Sequence, residues 1–331
     1  MPKKKSKTKM PVDIKALMDT VSDLGESRGI KAYVDLVFDV TASDALIELV
    51  LGAFGTGSST LDIRTAVLED DVPQIALPAD LCVIVGGESL LLGDTAAAAR
   101  RMGTPAVVVV EEGETFFAES VDAAQDFLPA DTVVHAGIPA SDIVVVAPEA
   151  PDALEELGSW IVLNAPAKRL SMSEDLHFLR RPLAMQVVDG NALQNAAVGF
   201  LVFIPGADMP VITLNQCKMV LQMASVYGKE LDTGRIKEIA AVVASAFGLR
   251  ALARQLSSFL PLLGWGVKAG VAYFGTYAIG NAALDYFEGD GVFENLSDAI
   301  SAASASMVEE VTRLAGTALV DQEPEAEGAQ A

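Results

Sequence analysis

The sequence has few of the residues that form metal centres or nucleophilic sites. It contains two cysteines, Cys82 and Cys217, and two histidines, His135 and His177, and their positions lack the spacing of a zinc site. No Ser/His/Asp constellation can be assembled around either histidine, so we predict that both are structural. The low cysteine content favours a reducing, cytosolic compartment.

Basic residues are scarce as well. The chain has 23 Lys and Arg against 45 Asp and Glu, a formal charge of -22, which repels phosphate backbones and excludes a nucleic-acid partner. Five lysines fall within residues 1–10, which we predict to be a disordered basic arm, and residues 319–331 are predicted to be a disordered acidic tail. The arm is followed by an amphipathic stretch instead of an apolar one, so no secretory signal is predicted.

Apolar residues, by contrast, are abundant. They make up 51% of the chain and the mean hydropathy is +0.37, which points to apolar surface that contacts a membrane or a partner. The 331 residues suggest two domains at about 150 residues each. Residues 190–207 and 269–284 are free of charge and are marginal candidates for crossing a bilayer, with a soluble helical bundle as the alternative.

The first half of the chain alternates between strand-like and helix-like patterns. Strands are predicted at 32–40, 61–67, 80–85, 106–110 and 142–146, and helices at 44–54, 89–102, 120–127 and 152–163. A further short helix begins near Ile14 and is predicted to stop at Gly25. We therefore predict that residues 11–172 comprise this helix and an α/β domain with a doubly wound, mostly parallel five-stranded sheet of the GTPase or Rossmann type.

The second half shows helical periodicity only, so residues 173–318 are predicted to form a hydrophobic helical domain. One of its helices is predicted to begin with Thr233 as the N-cap, and another covers residues 249–260. Gly266 and Gly270 form a small-xxx-small pair that is predicted to face a neighbouring helix, and the last helix begins near Leu296.

The layout of the α/β domain is similar to that of a small GTPase, but its chemistry is not. A phosphate-binding loop needs glycines and a lysine, and residues 41–46 after the first strand contain neither. The fourth strand is followed by Glu111 and Glu112 where guanine would be read by an Asn-Lys-x-Asp sequence. We predict a degenerate, pseudo-GTPase module and assign no catalytic, cofactor-binding or metal-binding residue.

Several carboxylates lie at the predicted strand ends, where their negative charge would repel a triphosphate. They are Asp39, Asp44, Glu111, Glu112 and Glu114. A divalent-cation site is the competing interpretation, because hard cations prefer oxygen ligands. The favoured role of Ser43 is that of an N-cap, with Asp44 as a first-turn acid. Gly86 and Gly87 form either an anion site or, more commonly for such a pair, a tight turn.

The helical half carries a recognisable set of motifs. They are His177 to Pro182, Asn195, Ile204 to Pro210, Asn215, Gln216, Met219, Tyr227, Gly228, Gly248 to Leu256, Pro261, Gly264, Thr276 to Gly280, Tyr286 and Phe287. Residues 177–288 thereby resemble the bacterial YcjF-type family, a helical domain of unknown function. The resemblance implies membrane association in some members and a GTPase or GTPase-like partner module, and it implies no established reaction.

Together these observations favour a non-enzymatic, membrane-associated scaffold or regulatory protein. Its pseudo-GTPase module is expected to dock a GTPase or another protein, its helical domain to form a homo-oligomer, and its basic arm to assist contact with an anionic membrane. The expected location is the cytoplasmic face of the bacterial inner membrane, or alternatively the cytoplasm. The alternative function is that of a soluble nucleotide- or metal-dependent hydrolase with an unrecognised site at the carboxyl edge of the sheet.

Overall fold

A computed structural model describes residues 12–73, 79–112, 138–201, 209–245, 264–289 and 295–320. The chain divides into two compact units. The α/β unit is Gly25–Leu183, and the helical unit combines the residues up to Leu24 with those from Ala184 onward.

The α/β unit is built on five parallel strands. They are β1 (Ala32–Asp39), β2 (Leu61–Leu68), β3 (Leu81–Val85), β4 (Ala106–Glu111) and β5 (Ile143–Val146), in the order β2-β1-β3-β4-β5. The unbroken apolar runs of β3 and β4 are buried on both faces, as expected for the interior of a parallel sheet. The predicted five strands and their mostly parallel pairing are confirmed.

Helices flank both faces of this sheet. They are α2 (Asp44–Phe54), α3 (Leu92–Arg101), α4 (Glu155–Asn164) and α5 (Arg169–Asp175), with 3-10 turns at Ala140–Asp142 and His177–Leu179. The first helix, α1 (Ile14–Arg28), belongs to the helical unit as far as Leu24. One core contains Leu46 of α2 and Ile161 of α4, and the other contains Leu92 of α3. The helix predicted at residues 120–127 lies outside the described residues.

The end of α1 differs from the predicted one. Gly25 does not end α1, which continues to Arg28, and the amide of Gly29 donates to the carbonyl of Gly25 as in a continuing helical turn. The contacts also group residues 173–183 with the sheet, although composition assigns them to the helical half. The reason is that Leu176 and Leu179 are completely buried in the core shared with α2 and α4.

Among the described residues, the helical unit contains five further helices. They are α6 (Arg180–Leu201), α7 (Met209–Val226), α8 (Thr233–Ser245), α9 (Gly264–Glu288) and α10 (Leu296–Val320). No strand occurs among the described residues beyond residue 173, in line with the predicted change of pattern. The helix predicted at 249–260 lies outside the described residues. Among the helices that the structure describes, none combines the length and apolar character needed to cross a bilayer.

The N-cap of α8 differs from the predicted one. The Asp232 carboxylate accepts the amide of Arg235 at 2.8 Å, and the Asp232 carbonyl accepts the amide of Ile236. Asp232 therefore caps the helix, and Thr233 is its first residue. An aspartate directly before a threonine offers two capping side chains, and the sequence alone does not decide which one the backbone uses.

Of the glycine pair predicted to face a neighbouring helix, Gly270 does not make the close contact, and the surroundings of Gly266 lie outside what the structure describes. A Cβ atom built on Gly270 meets nothing within 4 Å, so Gly270 does not mark a tight crossing. A Cβ atom on Gly280, further along α9, would lie 2.6 Å from both Cγ atoms of Val188 on α6. The absence of a side chain at Gly280 is what lets α6 and α9 approach each other.

Candidate functional site

The order of the strands marks one place where a ligand would be expected. β1 and β3 are neighbours, but the chain leaves β1 towards α2 on one face and β3 towards α3 on the other. The loops that follow these two strands therefore diverge at the carboxyl edge. In open parallel sheets, ligands bind in the crevice that such diverging loops create. The last residue of β1, Asp39, lies at this point.

Asp39 is fully buried and its carboxylate is engaged by backbone amides. Oδ1 accepts the amide of Thr41 at 3.0 Å, and Oδ2 accepts the amides of Gly87 and Ser89 at 2.9 and 3.1 Å. The last two amides belong to the loop between β3 and α3. Asp39 thus joins the loop after β1 to the loop after β3. Two amides of that second loop, those of Gly87 and Ser89, are bonded to the Asp39 carboxylate.

The two loops also touch through their backbones. A Cβ atom on Gly87 would lie 2.3 Å from the carbonyl carbon of Thr41 and 2.4 Å from the amide nitrogen of Ala42. The Thr41 hydroxyl accepts the amide of Glu88 at 2.7 Å. Only glycine allows this approach, so Gly87 makes a close loop contact, and its amide is turned towards the Asp39 carboxylate.

Ser43 and Glu111 make a second link at the same edge. The Ser43 hydroxyl accepts the amide of Leu46 at 3.1 Å, which confirms its predicted role as the N-cap of α2. The same hydroxyl donates to a carboxylate oxygen of Glu111 at the end of β4. Asp44 lies in the first turn of α2, as predicted, where an acid complements the helix dipole.

The carboxylates predicted to lie together at the strand ends have different surroundings in the structure. Asp39 and Glu111 bind protein groups, Asp44 and Glu112 are exposed, and Glu114 lies outside the described residues. Across the part of the chain that the structure describes, no three His, Cys, Asp or Glu side chains form a group that could hold a metal ion.

The rarer titratable residues are spread over the chain. His177 lies in a 3-10 turn and, with Arg181 and Leu49, lines a groove of about 320 Å³, whereas His135 lies outside the described residues. Cys82 is completely buried in β3, and burial, reinforced by the nearby charge of Asp35, raises the pKa of its thiol to about 12. The Cys82 thiol is therefore protonated at neutral pH and is a poor nucleophile.

The sheet contains a partly buried ion pair that the sequence did not predict. Asp35 on β1 lies beside Arg64 on β2 in the strand register, and the Arg64 Nε lies 2.9 Å from the Asp35 carboxylate. Asp35 is only 5% exposed, so it depends on this partner. An aspartate within an otherwise apolar strand pattern was the available signal, but only the register of the two strands identifies the arginine.

The helical unit contains a buried polar cluster formed by α6, α7 and α9. The Asn195 amide donates to the Thr276 hydroxyl at 2.9 Å and accepts from the Asn215 amide at 2.8 Å. Gln216 also donates to the Thr276 hydroxyl at 3.0 Å, and that hydroxyl donates to the carbonyl of Ala272. These side chains satisfy one another, so the cluster fixes the three helices relative to each other.

All four side chains of this polar cluster belong to the motifs that carry the family resemblance. Comparison with known proteins adds no relative: no protein-family model matches the chain, and no curated protein matches it. The function is therefore argued from the geometry of the two units.

Proposed function

We propose that this protein is a non-enzymatic scaffold or regulatory protein, and that its α/β unit is a degenerate GTPase-like module that docks a partner protein. The observation that carries the proposal is the position of Asp39. Its buried carboxylate accepts the amides of Gly87 and Ser89, at the edge where a nucleotide-binding domain would turn backbone amides towards phosphate.

The same arrangement disfavours a nucleotide in two ways. A phosphate at this position would have to displace the Asp39 carboxylate from its amides, and it would meet the negative charge of Asp39 at short range. The contact of Gly87 with Thr41 and Ala42 also brings the loops together where the crevice would have to open. Both features support a module that docks a partner protein on its surface and does not bind a nucleotide at this edge.

The identity of the partner class rests on the YcjF-type resemblance. That resemblance implies a GTPase or GTPase-like module in the same or another chain, and the partner we propose is a GTPase. The polar cluster of Asn195, Asn215, Gln216 and Thr276 supports the resemblance, because motif residues from three separate helices converge in it.

We place the protein at the cytoplasmic face of the bacterial inner membrane, held there by apolar side chains of the helical unit. Leu193 and Leu201 are eight residues apart on one face of α6 and are 68% and 64% exposed, and Phe274 on α9 is 67% exposed. Exposed apolar side chains at helical spacing are typical of surfaces that contact lipid or protein.

Titration with GTP tests the first part of the proposal. We expect no measurable heat of binding when GTP and Mg²⁺ are added to the full chain in a calorimeter, and no release of phosphate, because Asp39 holds the amides that a phosphate would need. Binding at micromolar concentrations of GTP would contradict the proposal.

Flotation with vesicles tests the second part. We expect the full chain to float with vesicles of anionic lipid, and the double variant Leu193→Asp/Leu201→Asp to remain in the dense fraction, because two charges would be buried at the lipid boundary. Leu163→Asp is the matched control, since Leu163 is equally exposed at 67% but belongs to the α/β unit. Equal flotation of the double variant and the wild type would contradict attachment through this face of α6.

A further inference from the structure

The chain passes from one unit to the other inside helices. The first boundary, between Leu24 and Gly25, lies within α1, and the second, between Leu183 and Ala184, lies within α6. Each helix continues across its boundary, so its backbone hydrogen bonds set the direction in which the chain leaves the α/β unit. The two crossings differ in the contacts that hold them.

The crossing in α6 is held by packing and by hydrogen bonds. A Cβ atom on Gly158 of α4 would lie 3.1 Å from the Cγ atom of Pro182, which is buried in the first turn of α6. The Arg180 side chain donates to the carbonyls of Ser173 and Glu174 at the end of α5, both at 3.2 Å. The first turn of α6 cannot change direction without breaking these contacts, so α6 is a fixed connection.

The crossing in α1 falls on a glycine. Gly25 lies in the interior of the helix, where its carbonyl accepts the amide of Gly29 at 3.3 Å. A Cβ atom built on Gly25 would meet nothing within 4 Å, so no close neighbour requires a glycine here. Glycine weakens a helix interior because it loses more backbone freedom on folding than other residues. The lowest helix propensity in α1 thus lies at the boundary itself.

An ion pair holds the end of α1, one turn after this glycine. Arg28, the last residue of α1, donates from two guanidinium nitrogens to a carboxylate oxygen of Glu174 on α5, and the two side chains are 27% and 29% exposed. The helix α5 is itself anchored, because Met172 is completely buried and Asp175 accepts the Ser58 hydroxyl at 2.6 Å. The last turn of α1 is therefore tied to a rigid part of the α/β unit.

We propose that Gly25 is a hinge in α1, and that the ion pair between Arg28 and Glu174 keeps the hinge from bending. While the pair is formed, α1 continues through the boundary as one helix. When the pair separates, the hydrogen bonds that span Gly25 open, and the chain before Gly25 changes direction while α6 stays fixed. The proposal does not depend on the proposed function, since it involves neither the carboxyl edge of the sheet nor the apolar face of α6.

A distance measurement tests the hinge. Spin labels at Asp19→Cys on α1 and Glu48→Cys on α2 occupy exposed positions, and both native cysteines are completely buried and stay unlabelled. We expect one narrow distance distribution in the otherwise wild-type chain and a distribution about twice as wide in Glu174→Ala. Asp175→Ala is the matched control, because this neighbouring acid bonds Ser58 in the loop before β2. Its distribution should stay narrow.

Hydrogen exchange with a rescue variant tests the role of the glycine. In an α-helix the amides of residues 26–29 bond the carbonyls of residues 22–25, so they exchange when the hinge opens. We expect these amides to exchange about tenfold faster in Glu174→Ala than in the wild type. Adding Gly25→Ala should slow them again about threefold. Gly190→Ala in α6, where a Cβ atom also meets nothing within 4 Å, should have no such effect.

The outcomes separate the possibilities. A wider distribution in Glu174→Ala, together with rescue by Gly25→Ala, establishes the hinge. Equal widths in the wild type and Glu174→Ala overturn the proposal, because the ion pair then does not direct α1. Equal widening in Asp175→Ala also overturns it, since any loosening of α5 would have the same effect. If circular dichroism shows that Glu174→Ala is unfolded, Arg28→Gln removes the pair from the other side and the same two measurements decide.

Discussion

We expect Asp39→Ala to lower the free energy of unfolding of the α/β unit by about 3 kcal/mol. The substitution removes the shared acceptor of three amides, those of Thr41, Gly87 and Ser89, at a fully buried position. Each buried amide without a partner costs free energy, and the cavity left by the carboxylate is lined by polar groups. Urea unfolding followed by circular dichroism measures the overall loss of stability.

Hydrogen exchange shows where that loss occurs. We expect the amides of Gly87 and Ser89 to exchange faster in Asp39→Ala than in the wild type, because they lose their acceptor while the strands remain paired. Asp44→Ala is the control, since Asp44 is an exposed carboxylate five residues away whose removal costs less than about 1 kcal/mol. Equal stability of the two variants would show that Asp39 does not hold the loops together.

We expect Asn195→Ala to lower the free energy of unfolding of the helical unit by about 3 kcal/mol. Asn195 is completely buried and joins Asn215 on α7 to Thr276 on α9. Without it the Asn215 amide loses its acceptor, the Thr276 hydroxyl loses one of its donors, and a cavity remains between three helices. Thermal unfolding followed at 222 nm measures the loss as a lower melting temperature.

Asn191 supplies a matched control one turn earlier in α6. It is only partly buried, and its side chain donates to the carbonyl of Val187 on its own helix at 2.8 Å and to Gln222 at 3.3 Å. Water can replace these bonds in Asn191→Ala, so we expect a loss below about 1 kcal/mol. If both variants melt at the same temperature, the polar cluster does not hold α6, α7 and α9 together.

The sequence alone predicted the features that depend on neighbouring residues. The unbroken runs of Val, Ile and Leu predicted β3 and β4, because a strand buried on both faces needs apolar residues at every position. The partly exposed β2 was predicted from a β-rich run that also contains Asp62 and Arg64. Ser43 was identified as the N-cap of α2, because a cap bonds an amide only three residues ahead. Signals of this kind act within a few residues and are readable without a fold.

Only the tertiary structure decided which distant groups meet. Asp39 bonds Gly87 and Ser89, 48 and 50 residues away, and Asn195 bonds Thr276, 81 residues away. The sequence presented Asp39 as one of several equivalent acids, and it pointed to Gly270 although Gly280 makes the close contact. Such choices depend on strand order, register and helix crossing. These are set by packing over the whole unit, so no local pattern encodes them.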